Sequence, residues 1–143
     1  VRKYFPNAGI TTDLICAFPT ETEEEFKNTL MFLKEVKFSQ VHIFPYSKRE
    51  GTVAAKMKQI SGDIAKDRCK RAQDVAFETK KEYLNSMIGK PLEVLIEEKE
   101  GEYYAGYSKE YIRVKVKNAK ENDIVTVFAD TVDYDTIIGR EGN

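Results

Sequence analysis

The chain has 143 residues, of which 41% are hydrophobic, 11% aromatic and 33% charged, with 23 Lys/Arg against 24 Asp/Glu. No apolar run approaches the roughly 20 residues that cross a bilayer, and aromatic and β-branched residues are spread too evenly for a disordered chain. A net charge of −1 argues against a protein whose whole surface binds nucleic acid.

That charge is uneven. Residues 1–88 carry 15 Lys/Arg against 12 Asp/Glu, and residues 89–143 carry 8 against 12. The opening Val1-Arg2-Lys3-Tyr4-Phe5-Pro6 does not start at Met and lacks the apolar segment of a secretory signal. The chain therefore reads as a piece of a longer product. It has two cysteines, Cys16 and Cys69, no CxxC pair and a single His, so it holds no ligand set for zinc or an iron–sulfur cluster. Without a secretion signal, this cysteine usage fits a reducing cytoplasm. Both cysteines fall in apolar patterns and are expected to be buried, inert thiols.

In chain order, the β-rich run 9–18 predicts a first strand, stopped by Pro19. Thr22-Glu23-Glu24-Glu25 has the spacing of a capping box, with three acids where a helix dipole favours them. Apolar residues recur at Phe26, Leu30, Leu33 and Val36, predicting a helix over 22–37. Val41-His42-Ile43-Phe44-Pro45-Tyr46 predicts a second strand, about 30 residues after the first, the repeat of a parallel β-α-β unit. After a loop over 47–52, the stripe Ala65, Cys69, Ala72, Ala76, Tyr83, Met87 predicts a helix over 63–88, closed by Gly89.

From Lys90 the period changes to two. Runs at 92–97, 103–107, 111–117, 124–128 and 132–138 predict about five short strands, a small β-barrel or sandwich. The expected organisation is an α/β part over 1–88 followed by an all-β domain over 89–143. Two βα units do not make a domain, because a parallel sheet needs both faces covered and neighbours at its edges. Residues 1–88 thus read as the closing units of a larger α/β protein, with an exposed parallel strand edge that invites self-association.

Two motifs carry a resemblance. Thr12-Asp13-Leu14-Ile15-Cys16-Ala17-Phe18-Pro19-Thr20-Glu21-Thr22 and the run from Val41 to Met57, ahead of a β-rich tail, resemble the last two barrel units of the radical S-adenosylmethionine methylthiotransferases. The form His42-x-Phe44-Pro45-Tyr46-Ser47-x-Arg49-x-Gly51-Thr52 is closest to the branch that acts on threonylcarbamoyladenosine beside the tRNA anticodon. The run from Tyr103 to Val114 is similar to that branch's entry into its RNA-binding TRAM domain. The resemblance implies a partial radical-SAM βα barrel, here two βα units, followed by a small five-stranded TRAM β-barrel. For the intact enzyme it implies S-adenosylmethionine, [4Fe-4S] clusters and transfer of a methylthio group to carbon 2 of the modified adenosine in tRNA. The cluster-binding CxxxCxxC is absent from this chain, so the segment alone is expected to be inactive and to contribute tRNA binding in the anticodon region. Ala17 and Thr20 stand where that family usually has Gly.

In α/β barrels, functional groups gather at the C-terminal ends of strands. That rule points to Phe18–Glu21 and to Pro45–Arg49. The resemblance implies that Phe44 and Tyr46 border the adenine of S-adenosylmethionine, and that Arg49 meets a carboxylate or the RNA. Simple barrel filling by Phe44 and a solvated Arg49–Glu50 pair are the plainer alternatives. His42, mid-strand, reads as a barrel-interior or helix-facing residue rather than a general base.

In the strand 111–117, Ile112, Val114 and Val116 face one way and Tyr111, Arg113, Lys115 and Lys117 the other. An aromatic ring among cations suits stacking on a base beside phosphates. Tyr103, Tyr104 and Tyr107 extend that face on the next strand, and salt-sensitive binding is expected. The competing reading is a solubilising outer face. Two other functions stay open: a stand-alone RNA-binding module without catalytic activity, and an acidic domain for a protein partner.

Overall fold

The computed structural model of the chain describes residues 1–142; Asn143, the last residue of the expected β-domain, lies outside the described residues. The element order is β1 (Thr11–Cys16), α1 (Glu23–Val36), β2 (Gln40–Pro45), a 3-10 turn (Ala54–Lys56), α2 (Gly62–Asn85), β3 (Pro91–Glu100), β4 (Tyr103–Ser108), β5 (Arg113–Val116), β6 (Ile124–Asp133) and β7 (Thr136–Glu141). The chain divides into two units. One is Ile10–Lys80; the other joins residues 1–9 to the chain from Lys81 onward.

In the first unit, β1 and β2 pair in parallel, Thr11 beside Gln40 through Cys16 beside Pro45. The capping box forms: Thr22 Oγ1 accepts from Glu25 N at 3.2 Å, and Thr22 N donates to Glu25 Oε2 at 2.7 Å. α1 ends where Lys37, at φ 55, donates its N–H to the Leu33 carbonyl. One face of the sheet is covered. Leu14, Cys16 and Ile43 pack with Phe26, Cys69 and Ala72, and Leu33, Phe38 and Val75 continue the layer. α2 brings the small side chains Cys69 and Ala72 into this layer, where a larger residue would hold the helix off the strands. The opposite sheet face is bare: Ile15 and Phe44 are each 53% exposed, and the neighbours Asp13 and His42 lie exposed beside them.

The other unit holds a closed barrel in the order β3-β4-β5-β7-β6, with β6 returning to β3. All its pairings are antiparallel except β5 with β7. Val94, Ile96, Val114, Val116, Val127 and Ile137 are completely buried inside it, each worth about 1.5–3 kcal/mol of apolar burial. A bulge between Ile96 and Glu98 bends β3 around β4. There Gly106 has no substitute, since a Cβ would stand 1.8 Å from the Leu95 carbonyl oxygen.

Several boundaries differ from expectation, most of all in three places. The last two strands are not 124–128 and 132–138: β6 runs on to Asp133, bent by a bulge between Ala129 and Thr131, and the chain reverses at Tyr134 and Asp135. Tyr134 takes a left-handed φ of 54 in a turn with no glycine to announce it. α2 stops at Asn85 rather than 88, and Gly89, at φ 79, donates to the Ala129 carbonyl instead of capping the helix. The strand expected over 111–117 is only Arg113–Val116, because Tyr111 is left-handed at φ 58.

Candidate functional site

In the α/β unit the chemistry gathers where β1 and β2 end. After Cys16 the backbone turns left-handed at Ala17 (φ 59) and again at Thr20 (φ 73), so the conformation that suits glycine is kept without glycine. The loop is held by one carboxylate. Glu21 Oε2 accepts from Ala17 N at 3.0 Å and from Arg68 Nη1 at 2.6 Å, and the same Nη1 donates to the Glu21 carbonyl at 3.0 Å. Side-chain exposures of 5% for Arg68 and 14% for Glu21 make this a buried ion pair. The Arg68 and Arg71 guanidinium groups lie over the Phe26 ring, at 5.4 and 4.8 Å. Arg71 also bonds Glu23 at 2.7 Å, which holds that carboxyl below its ordinary value.

Beyond β2, Tyr46 N donates to the Cys16 carbonyl at 2.9 Å, and the ring meets Phe18 edge-on at 5.3 Å. The Tyr46 hydroxyl is buried and has no hydrogen-bond partner among the described residues. Tyr46 borders a cavity of about 910 Å³ whose wall includes Lys48, Gln59, Lys66, Cys69 and Lys70. Of the three residues assigned to S-adenosylmethionine, only Tyr46 lines it. Phe44 lies on the bare sheet face, and Arg49 is exposed in the following loop, its carbonyl accepting from Thr52 Oγ1 at 2.8 Å.

On the barrel, Arg113, Lys115 and Lys117 do share one outward face. Register aligns Ile124, Leu95, Tyr107 and Arg113 across β6, β3, β4 and β5 in one row, and Glu98, Ala105 and Lys115 in the next. Ala105 is fully buried beneath its charged neighbours. Arg113 bonds Glu98 at 2.9 Å and also Glu100; Lys115 bonds Glu100 at 2.7 Å, and Lys117 approaches Glu102 at 3.6 Å. The hydrogen bond to Glu98 raises the Arg113 pKa above the arginine norm, and that from Lys115 lowers Glu100. Arg113 lies over the Tyr107 ring at 5.7 Å and Lys117 over Tyr103 at 5.2 Å. Tyr104 does not join this face: strand alternation turns it toward the barrel core.

Tyr111 is 83% exposed, raised on a turn in which Ser108 Oγ accepts from Glu110 N and Ile112 N. With Leu95, Tyr107 and Ile124 it lines a depression of about 380 Å³, next to a Lys109–Glu93 pair at 2.7 Å.

No protein-family model matches the chain. Individual relatives do. It is 38% identical over 127 residues to the threonylcarbamoyladenosine tRNA methylthiotransferase MtaB of Bacillus subtilis, covering 85% of this chain and 28% of that protein. It is 36% identical over 141 residues to a tRNA-2-methylthio-N(6)-dimethylallyladenosine synthase of Acetivibrio thermocellus, covering 98% of this chain and 27% of that protein. The chain belongs to the tRNA methylthiotransferases. As a segment of this family it matches the C-terminal part and spans about a quarter of the length of these relatives.

Among the described residues of this methylthiotransferase segment, no three His, Cys, Asp or Glu side chains converge on a metal position. No described helix is long and apolar enough to cross a membrane. Sequence reasoning missed Arg68, an arginine inside a helix pattern whose partner lies 47 residues away, and Leu95 and Ile124, whose outward apolar side chains meet only through barrel register. It also expected Cys69 to be buried, whereas the cavity reaches it.

Proposed function

We propose that this chain is the substrate-side portion of an enzyme that adds a methylthio group to N6-threonylcarbamoyladenosine in tRNA. In this reading Ile10–Lys80 supplies the last two units of a radical-SAM barrel and the closed barrel is its TRAM domain, holding tRNA near the anticodon in the cytoplasm. The observation that carries the proposal is homology along most of the chain to tRNA methylthiotransferases. The His42–Thr52 motif and the match to the threonylcarbamoyladenosine enzyme of Bacillus subtilis support this branch.

The bare face of Ile15 and Phe44 is what an inner barrel surface looks like without its remaining strands. Tyr46 and Lys48, in the cavity at the strand end, suit an adenosyl and a carboxylate group of S-adenosylmethionine; Phe44 and Arg49, which do not line that cavity, are assigned to the cofactor on the family resemblance alone. When bound in the complete barrel, that cofactor and a cluster supply the radical chemistry. The residues here orient and enclose, and the segment alone is inactive. The open strand edges favour self-association of the isolated segment, visible as dimers by light scattering; a monomer at all concentrations removes that part.

RNA contact is assigned to Tyr107, Tyr111, Arg113, Lys115 and Lys117. Because the three cations already hold carboxylates, binding to single-stranded RNA has a salt slope shallower than the about −2 expected for three free cations. Two measurements test the proposal. Tyr111→Ala and the pair Arg113→Glu with Lys115→Glu each weaken tRNA binding about tenfold in filter assays, a stacking or charge effect of about 1–3 kcal/mol; unchanged affinity removes this face. Nucleoside mass spectrometry of tRNA, after deletion of the whole gene, loses the methylthio form of threonylcarbamoyladenosine. Loss of the dimethylallyl form instead would assign the other branch.

A further inference from the structure

The function proposed above assigns no role to Cys16 or Cys69, although Cys69 is in the wall of the same cavity as Tyr46 and Lys48. Cys16 ends β1 and is 0% exposed. Cys69, in α2, is only half-buried, and both are free thiols. The two pack in one cluster with Phe26 and Ala72. Burial first, and the adjoining Cys69 thiol next, push the Cys16 pKa up to about 12, so Cys16 keeps its proton. Cys69 alone of the two reaches the cavity of about 910 Å³, beside Tyr46, Lys66 and Lys70. A small solute entering there meets Cys69 first, with a second sulfur behind it.

We propose that Cys16 and Cys69 form an oxidative modification site, at which hydrogen peroxide converts the thiol pair to an intrachain disulfide tying the end of β1 to α2. In the first step the Cys69 sulfur attacks one peroxide oxygen and the O–O bond breaks. The departing hydroxide takes the thiol proton and leaves as water, giving a sulfenic acid: sulfur loses two electrons and peroxide gains two. In the second step the Cys16 sulfur attacks the Cys69 sulfur, the S–O bond breaks, and the hydroxide leaves with the Cys16 proton as a second water. The sum is two thiols and one peroxide giving one disulfide and two waters. A dithiol reductant reverses it by exchange. The raised Cys16 pKa makes the second step slow, so the sulfenic acid accumulates briefly and is trappable. The bridge closes a 53-residue span, which restricts the unfolded chain of the α/β unit.

The test treats the reduced full chain with a stoichiometric amount of hydrogen peroxide, followed by thiol titration, intact mass and peptide mapping. The wild type is expected to fall from two titratable thiols to none and to lose two hydrogens in mass without gaining oxygen. It yields a Cys16–Cys69 cross-linked peptide and a raised melting temperature of the α/β unit that a dithiol reductant cancels. Cys16→Ser retains oxygen on Cys69, labelled by a sulfenic-acid reagent, while Cys69→Ser leaves Cys16 unmodified at the same dose. Cys16→Val, which keeps an apolar side chain at the buried position, serves where serine unfolds the unit. Oxygen added to Cys69 of the wild type with no cross-link overturns the proposal. So does a disulfide between two chains, or oxidation of Cys16 in Cys69→Ser at the wild-type rate.

Discussion

Every strand of the barrel has two hydrogen-bonded neighbours, and its inward residues, such as Val94, Val114 and Ile137, are fully buried. In the α/β unit, β1 and β2 pair only with each other among the described residues, and one sheet face leaves Ile15 and Phe44 open. The barrel completes its own core by closure, which removes both edges. The α/β unit rests on one packed face and on a polar anchor, the Glu21–Arg68 pair, that holds the loop leaving β1. The difference shows where each unit is vulnerable: the barrel through backbone fit, the α/β unit through a buried charge.

The largest effect is expected at that anchor. Arg68→Ala leaves the Glu21 carboxylate buried without its cation and costs the α/β unit about 3–5 kcal/mol. Native-state hydrogen exchange should show this on β1 and β2 amides, with the barrel amides unchanged. Equal loss in both units would mean that they do not unfold separately. Gly106→Ala is the mirror experiment. The new Cβ collides with the Leu95 carbonyl and costs the barrel about 3 kcal/mol, read as faster exchange of β3 and β4 amides.

Relief of strain comes next, and with the opposite sign. Thr20 is exposed at φ 73, so Thr20→Gly loses little packing and removes a left-handed penalty of about 1–2 kcal/mol, less the entropy glycine adds to the unfolded chain. A net gain of about 0.5–1 kcal/mol in urea denaturation is expected.

Alkali gives the smallest effect in the working range and touches both units. Burial pushes Tyr83 from 10.0 to about 12 and Cys16 from 9.0 to about 12. Both groups are held in their protonated forms by the fold. Their contributions are full below the unfolded pKa and disappear as pH rises through the folded one. Barrel stability is therefore expected to fall between about pH 10 and 12, and α/β stability from about pH 9. Tyr83→Phe should flatten the barrel's decline and Cys16→Val that of the α/β unit.

Much of this was legible in the sequence because it is local. The capping box at Thr22 and Glu25, the apolar spacing of Phe26 and Leu33, and the alternation of Ile112, Val114 and Val116 depend on neighbours a few residues away. So do the strand-helix-strand-helix order and the five-stranded β-region. The motifs around Asp13 and His42 carried the family, since they preserve a chemical pattern whatever surrounds it. Non-local pairing decided the rest. Arg68 acquires its meaning only from Glu21, 47 residues away, and Cys69 only from the cavity and from Cys16. The run Arg113, Lys115, Lys117 reads as free cations in one strand taken alone; they are matched by Glu98, Glu100 and Glu102 because β3 and the turn after it come alongside. The long β6 and the turn at Tyr134 likewise follow from barrel closure, which bends the strand by a bulge and sets a tyrosine in a conformation its own preference would not choose. Propensity and period act within a few residues, whereas burial, charge neutralisation and strain are properties of whatever the fold brings together.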